Sequence, residues 1–345
     1  MAKLPTLRIL STCTALLLST LISLFAIEKT QAQPVEQQPM TSAAEVFEST
    51  LKSGSAHRIL PYKLSVPAKK GLCSLVILSH GAGGSYDGSR NLVESWVDAG
   101  FACIQPLHED SIKHKRSLGQ SVSLRDSMND ANMPTKWTGR VQDIEDIINS
   151  LDSINKLCPW VQFDRNSIGL AGHSFGAFTA QLIAGVTPPQ RACCSTFKDP
   201  RIKAVLLLSP QGVRRSSPLG FDDASAWRGL HMPVMVMTGS LDKGRTGEMP
   251  EWRLEPYKYS PAGSKFLVFL NNANHMTFAG SGNLPASGEL LIQRIAGGAD
   301  TSYLYPYIEK ASSLFFRAFL NRDAGALKNL VTEKFPENIG YLETK

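Results

Sequence analysis

The sequence predicts an α/β protein built on a mostly parallel sheet with helices on both faces. Continuous apolar runs, typical of strands buried on both faces, occupy residues 72–78, 101–106, 167–171, 202–208, 234–238 and 266–270. Segments with helical spacing of apolar residues lie at 91–99, 141–157, 175–184 and 303–320. Strands that alternate with helices favour parallel pairing, because each right-handed crossover returns the chain to the same edge of the sheet.

Two segments depart from this alternation. Residues 58–66 alternate between polar and apolar, as an edge strand does. Residues 107–138 are polar, carry both signs of charge and have no clean period, which is typical of a long functional loop. Because neither an internal repeat nor linker composition occurs between residues 55 and 322, we expect residues 55–345 to form a single domain.

Composition places the chain among globular proteins and argues against nucleic-acid binding. Of its 345 residues 43% are hydrophobic and 19% charged, and no long polar low-complexity tract occurs. The formal net charge is +6, but the basic residues form no extended cluster. A mild, dispersed excess of positive charge indicates an ordinary solvated surface.

The N-terminus has the features of an export signal. Lys3 and Arg8 precede an apolar stretch at residues 9–27, and small residues at Thr30 and Ala32 fit a cleavage site. We therefore expect a signal peptide at 1–32, a flexible leader at 33–54, and a secreted or periplasmic protein without stable membrane insertion after cleavage. An uncleaved membrane anchor is the alternative, which the many serines and threonines of the stretch disfavour.

A G-x-S-x-G sequence lies between a predicted strand and a predicted helix. It consists of Gly172, His173, Ser174, Phe175 and Gly176. A nucleophile at such a turn adopts strained backbone angles, and the residues two positions away must be small for the strand and helix to pack. This context predicts Ser174 as a nucleophile; the alternative is a helix N-cap that bonds only to first-turn amides.

A glycine-rich segment follows the first buried strand. Gly81, Ala82, Gly83 and Gly84 would let a backbone N–H approach a bound acyl oxygen closely. The N–H groups of Ala82 and Phe175 are thus predicted to form an oxyanion hole, each contributing about 3 kcal/mol in the transition state. A dinucleotide-binding loop is excluded, because its pattern requires glycine where this chain has Tyr86, and a plain turn is the remaining alternative.

A serine nucleophile needs a base and an acid that orients the base. His275 follows the strand at 266–270, and Asp242 follows the strand at 234–238, so both can reach the same sheet edge as Ser174. His231 precedes its strand and is expected at the opposite edge. Asp222 and Asp223 remain alternatives to Asp242 as the acid.

Other side chains are assigned by position. Loops leaving the same sheet edge should line the substrate cleft, with wall residues Tyr86, Trp137, Trp227 and Phe278; core packing is the alternative for each. His80 and His173 belong to backbone turns and are expected to be structural.

The six cysteines suggest a disulfide and no metal site. Cys73 and Cys103 lie on strand-like runs and are expected to be buried, whereas Cys158 with Cys193 or Cys194 is the pairing we expect for a disulfide. Cysteine and histidine spacings do not resemble a zinc site, and the predicted chemistry needs no cofactor.

Three further segments, together with the G-x-S-x-G sequence, carry a resemblance to a known family. They are Ser79-His80-Gly81, Leu107-His108-Glu109-Asp110, and Arg140 with Asp143 on the next predicted helix. Over residues 72–280 the chain resembles the branch of α/β-hydrolases that holds dienelactone hydrolases, platelet-activating-factor acetylhydrolases and cutinase-like polyesterases. The resemblance implies the α/β-hydrolase fold and hydrolysis of esters.

The chain also departs from individual members of that branch. Acetylhydrolases take their acid from the end of the strand directly after the nucleophile helix, where this chain has Ser209. An acid at Asp242 is similar to the dienelactone hydrolases, but those enzymes use a cysteine in place of Ser174.

The expected function is therefore that of a general exported serine carboxylic ester hydrolase, acting on small-molecule or polymeric esters through an acyl-enzyme. An acyltransferase using the same acyl-enzyme and a non-catalytic binding module on the same scaffold are the alternatives.

Overall fold

The computed structural model describes residues 44–54, 58–190, 192–214, 219–280 and 300–345. These residues belong to one compact unit. The predicted signal peptide at 1–32 and the first part of the predicted leader, up to residue 43, lie outside the described residues.

Across the described residues, nine strands form one sheet that is mostly parallel. The strands are β1 (Glu45–Lys52), β2 (Ile59–Val66), β3 (Gly71–Ser79), β4 (Ala102–Pro106), β5 (Val161–His173), β6 (Ile202–Leu208), β7 (Val234–Leu241), β8 (Lys265–Asn274) and β9 (Gly340–Thr344). Their order is β1-β2-β4-β3-β5-β6-β7-β8-β9. The six strands from β4 to β8 in this order pair in parallel, and β1, β2 and β9 pair antiparallel at the two edges.

Helices cover both faces of the sheet. They are α1 (Arg90–Asp98), α2 (Ile112–Ser117), α3 (Leu124–Asp130), α4 (Pro134–Asn149), α5 (Leu151–Ile154), α6 (Phe175–Ala184), α7 (Glu255–Tyr259), α8 (Tyr305–Phe319) and α9 (Ala324–Thr332). Alternate strand residues point to opposite faces, so on β3 Leu75 and Ile77 pack with α4 and α6, while Val76 and Leu78 pack with α1 and α8. The predicted α/β class, with helices on both faces, is confirmed.

The fold begins earlier than the sequence predicts. Residues 45–52 were expected in the flexible leader, but they form strand β1, which pairs with β2 along its whole length. Phe47, Ser49 and Leu51 are half-buried on the side of the core, while Glu48 and Thr50 between them are exposed. This strand also gives β2 a partner on each side, so residues 58–66 do not form an edge strand.

The predicted loop at 107–138 contains regular structure. Helices α2 and α3 lie within it, and α4 begins at Pro134, well before the periodic segment at 141–157. Ser111 caps α2, and Ser123 with Asp126 forms a capping box at the start of α3. These capping residues are the sequence signal for helices too short to show an apolar period.

Candidate active site

The sheet register places the three predicted residues next to one another. His173 pairs with Leu208 across β5 and β6, and the backbone N–H of Ser174 donates to the Leu208 carbonyl at 2.9 Å. Leu241 pairs with Asn274 across β7 and β8, so the next residues, Asp242 and His275, leave the sheet together. Parallel strands therefore deliver these side chains to one edge of the sheet.

Ser174 occupies a strained turn between β5 and α6. Its backbone angles are φ 53° and ψ −115°, outside the regions that a serine ordinarily adopts. A Cβ at Gly172 would lie 2.1 Å from the Gly176 carbonyl oxygen, and one at Gly176 would lie 1.9 Å from the Ser79 oxygen. Only glycine fits at both positions, because the strand, the helix and β3 meet there.

The Ser174 hydroxyl faces a histidine instead of capping its own helix. Ser174 makes no side-chain cap hydrogen bond to α6, so the N-cap alternative does not describe it. Its Oγ lies 3.0 Å from Nε2 of His275, and Nδ1 of His275 lies 3.0 Å from Oδ1 of Asp242. These distances allow a proton to pass from the serine to the histidine while the carboxylate fixes the tautomer.

Asp242 is fully buried and held as an anion by its neighbours. Ser209 and Thr238 donate hydroxyl hydrogen bonds to its Oδ2 at 2.6 and 2.9 Å, and Nε of Arg253 lies 2.7 Å from its Oδ1. Burial alone would raise the pKa of Asp242, but the Arg253 charge and the hydrogen bonds from His275 and Ser209 lower it to about 2.

Arg253 has a role that the sequence reasoning missed. Its guanidinium is almost fully buried and donates to the backbone carbonyls of Asp242, Ser209 and Pro210. Arg253 thereby links the segment after β7, which carries Asp242, to the segment after β6. Arg253 lies in a short 3-10 helix without a recognisable motif, so the sequence carries no local signal for this contact.

The surroundings of His275 favour the neutral imidazole. Burial and then the Arg253 charge lower its pKa, while Asp242 opposes the shift. His173 lies alongside, with ring centroids 4.8 Å apart and its Nε2 3.0 Å from the His275 carbonyl oxygen. Burial and the neighbouring His275 lower the pKa of His173 to about 3, so it stays neutral and acts as a structural donor, as predicted.

The loop after β3 approaches Ser174 closely. A Cβ at Gly81 would lie 3.5 Å from Cβ of Ser174, and Ala82 follows Gly81 in the same turn. The N–H groups of Ala82 and Phe175 have no hydrogen-bond acceptor among the described residues. Backbone N–H groups without an acceptor are the kind of donor that an oxyanion hole requires.

A buried ion pair supports this loop from below. Arg140 on α4 binds Asp110 with two hydrogen bonds of 2.8 Å and donates to the carbonyls of His80 and Gly81 at 2.6 and 3.1 Å. Asp110 in turn accepts from the Gly83 N–H at 3.1 Å. Burial alone would raise the pKa of Asp110, but the Arg140 charge lowers it well below its ordinary value.

A second serine–histidine–aspartate chain lies inside the protein at the start of the same loop. Ser79 Oγ lies 2.9 Å from Nε2 of His108, whose Nδ1 lies 2.7 Å from Oδ2 of Asp143. All three side chains are buried. Asp143 also forms an ion pair with Arg58.

The alternative acids and base occupy other places. Asp222 accepts a hydrogen bond from the Gln190 N–H, and Asp223 caps a short 3-10 helix. His231 is exposed and precedes β7, at the end of that strand opposite Asp242. The structure thus brings Asp242, and neither Asp222 nor Asp223, within reach of His275.

The four predicted wall residues are core residues, which corrects the prediction. Trp137, Trp227 and Phe278 have no exposed surface and belong to the hydrophobic core. The Trp137 ring packs against Phe178, and Nε1 of Trp227 donates to Gln181. Tyr86 is 7% exposed and its hydroxyl donates to Glu48. Aromatic residues that lie close to candidate site residues along the chain therefore need not face the site in the fold.

The predicted disulfide is absent from the described residues. Cys158 is a buried free thiol, and Cys193 and Cys194 are exposed free thiols. Cys73 and Cys103 are buried as predicted. No cluster of three or more His, Cys, Asp or Glu side chains with metal-binding geometry occurs among the described residues.

Comparison of the chain with protein-family models and with curated proteins finds no match to either. In the part of the chain that the structure describes, no helix has both the length and the apolar character needed to span a bilayer.

Proposed function

We propose that this protein is an exported serine carboxylic ester hydrolase of the α/β-hydrolase fold. The observation that carries the proposal is the continuous chain from Ser174 through His275 to Asp242, with 3.0 Å at each step. It is joined to a strained strand-to-helix turn, which is where this fold exposes its nucleophile. The order of serine, acid and histidine along the chain is also the order in α/β-hydrolases.

In the proposed reaction Ser174 Oγ attacks the carbonyl carbon of an ester while His275 Nε2 takes its proton. The Asp242 carboxylate stabilises the imidazolium, and the N–H groups of Ala82 and Phe175 hold the oxyanion. His275 then returns the proton to the departing alkoxide, which leaves an acyl-enzyme. Water, activated by His275, attacks the acyl carbon and releases the carboxylic acid and free Ser174. These steps require neither a metal nor an organic cofactor.

The substrate is proposed to be a small-molecule or polymeric ester. In the acetylhydrolases that this chain resembles, the acid stands at the position that Ser209 occupies here. Ser209 instead donates a hydrogen bond to Asp242, which favours a general carboxylesterase over an acetylhydrolase. Export is proposed from the predicted signal peptide at 1–32. N-terminal sequencing of protein recovered outside the cytoplasm should begin at Gln33, and an N-terminus at Met1 would count against export by cleavage.

The function is tested with chromogenic p-nitrophenyl esters and a fluorophosphonate probe. Wild-type protein should release p-nitrophenol, and the probe should label Ser174. Ser79→Ala is the matched control, because Ser79 lies in the buried chain and should leave labelling intact. Absence of both hydrolysis and labelling in folded protein would favour the binding-module alternative.

The acyltransferase alternative is separated from hydrolysis by product analysis. The same ester is supplied with and without an added alcohol, and the acyl products are identified. Free acid as the main product in both cases supports the hydrolase. A new ester formed in preference to free acid would replace the hydrolase proposal with the transferase.

A further inference from the structure

Two adjacent cysteines, Cys193 and Cys194, stand apart from the other described thiols. Both are exposed, in the segment between α6 and β6, and their Sγ atoms lie 3.4 Å apart. Cys73, Cys103 and Cys158 are all buried. The described thiols therefore divide into an accessible neighbouring pair and three that solvent does not reach.

Cys193 also differs from the buried thiols in its acidity. Burial raises the pKa of Cys73 to about 12 and that of Cys158 to about 11, which keeps both as unreactive thiols. Cys193 differs, because its Sγ lies 3.0 Å from the hydroxyl of Thr138 on α4. Hydrogen bonds from Thr138 and then Cys194 lower the pKa of Cys193 below its ordinary value. Cys193 is thus the thiol best prepared to begin an exchange reaction.

We propose that Cys193 and Cys194 are a redox-active dithiol that closes to a vicinal disulfide on reaction with a low-molecular-weight disulfide. The proposal goes beyond ester hydrolysis and does not depend on it. It rests on the adjacency of the two sulfur atoms, their exposure and the Thr138 contact.

The reaction is balanced by the oxidant, for which oxidised glutathione is the probe. The Cys193 thiolate attacks one sulfur of the glutathione disulfide, which expels one glutathione thiolate and leaves a mixed disulfide on Cys193. Cys194 then loses its proton and attacks Sγ of Cys193, which expels the second glutathione. The protein pair loses two electrons and two protons, and two glutathione thiols form.

Backbone geometry makes such a disulfide easy to reduce. Consecutive Cα atoms are about 3.8 Å apart. Ordinary disulfides join Cα atoms about 4.4–6.8 Å apart, and bonds outside that range are strained and more reducible. A bond between Cys193 and Cys194 would therefore reopen in the presence of excess thiol, as labile regulatory disulfides do.

The sequence around the pair allows a direct test by mass spectrometry. Trypsin cleaves after Arg191 and Lys198, so both cysteines fall in the peptide Ala-Cys-Cys-Ser-Thr-Phe-Lys. Folded full-length protein is treated with oxidised glutathione, alkylated with iodoacetamide and digested. We expect this peptide to carry no alkyl group and to be lighter by two hydrogen atoms than the same peptide with two free thiols. Treatment of the folded protein with dithiothreitol before alkylation should restore both alkylation sites.

The other cysteines and three variants serve as controls. Cys73, Cys103 and Cys158 should be alkylated only after denaturation. Cys194→Ser should stop at a stable glutathione adduct on Cys193, because the resolving thiol is missing. Thr138→Val should slow the first step several-fold, while Thr187→Val, on the same segment as the pair but outside its contacts, should not.

Three results would overturn the proposal. A glutathione adduct that persists on wild-type Cys193 would show that Cys194 cannot complete the exchange. A disulfide-linked dimer on a non-reducing gel would show that the sulfur atoms pair between molecules. Full alkylation after treatment with oxidised glutathione would show that the pair does not react, and circular dichroism confirms that the protein tested was folded.

Discussion

Two serine–histidine–aspartate chains occur in this molecule, one at the edge of the sheet and one in its interior. Ser174, His275 and Asp242 are joined by contacts of 3.0 and 3.0 Å. Ser79, His108 and Asp143 are joined by contacts of 2.9 and 2.7 Å. The hydrogen-bond distances of the interior chain are therefore the shorter of the two sets.

The surroundings of the two chains differ in three ways. Ser174 lies at positive φ in the turn before α6 and is partly exposed, whereas Ser79 ends an extended strand and is fully buried. His275 is 31% exposed, but His108 is 0% exposed. The acids differ as well, because the pKa of Asp242 is lowered to about 2 while burial raises that of Asp143 to about 7.

This difference shows that a hydrogen-bonded serine, histidine and aspartate are not by themselves sufficient for a catalytic site. An ester must reach the hydroxyl, an oxyanion must find donors, and the acid must be ionised when the histidine takes a proton. The Ser174 chain has a partly exposed histidine and an acid held as an anion, whereas the Ser79 chain is closed to solvent. The Ser79 chain instead anchors the loop that carries Ala82, since Ser79 directly precedes it.

The largest expected effect separates the two serines. Ser174→Ala should reduce turnover of p-nitrophenyl acetate by about 10⁵-fold or more, because the nucleophile is lost. Ser79→Ala should stay within about tenfold of wild type and instead destabilise the fold by about 1–3 kcal/mol, since Nε2 of His108 loses its hydrogen-bond partner. Turnover and urea denaturation measure the two effects. Similar activity losses in both variants would remove the distinction drawn between the chains.

The acids should separate next. Asp242→Asn should lower turnover by about 10⁴-fold, because an amide favours the wrong histidine tautomer. Asp143→Asn should cost less than about tenfold in turnover, since His108 does not contact substrate. Asp222→Asn is a control outside both chains. A large loss there, with little loss in Asp242→Asn, would move the acid to Asp222.

A smaller effect should come from the ion pair between Arg140 and Asp110, which contacts the loop after β3. Arg140→Met removes the donors to the His80 and Gly81 carbonyls and should lower kcat by about 10²-fold with little change in KM, because misplaced amides act on the transition state. Arg140→Lys should recover only part of this, since lysine lacks the planar fork. Unchanged kcat in a folded Arg140→Met variant would mean that the loop holds its position without Arg140.

The smallest expected effect is a shift of the pH profile. Hydrolysis requires neutral His275, so activity should fall as pH drops through the pKa of His275, which burial and Arg253 place below its ordinary value. Arg253→Met removes a positive charge and should raise that pKa, which moves the acid limb of kcat/KM to higher pH by about one unit. Arg253→Lys keeps the charge and should leave the limb nearly unmoved. A shift to lower pH in Arg253→Met would contradict the charge argument.

Several features could be predicted from the sequence because they depend on neighbours along the chain. The apolar runs predicted the parallel strands, and the G-x-S-x-G sequence between a strand and a helix predicted the strained turn at Ser174. Asp242 and His275 were predicted because each directly follows a strand. Strand β1 was missed because its core-facing row includes Ser49 as well as Phe47 and Leu51, which weakens the alternating pattern, and α2 and α3 were missed because they are too short to show a period.

The sequence by itself determined the class of fold and placed three candidate residues after strands, since apolar periodicity and the succession of segments along the chain can be read without tertiary contacts. The tertiary structure decided what those residues touch. Arg253 beside Asp242, the interior Ser79 chain, the burial of Trp137 and Trp227, and the contact of Cys193 with Thr138 each join segments far apart in sequence. Burial and charge pairing depend on such long-range packing, so no local pattern could reveal them.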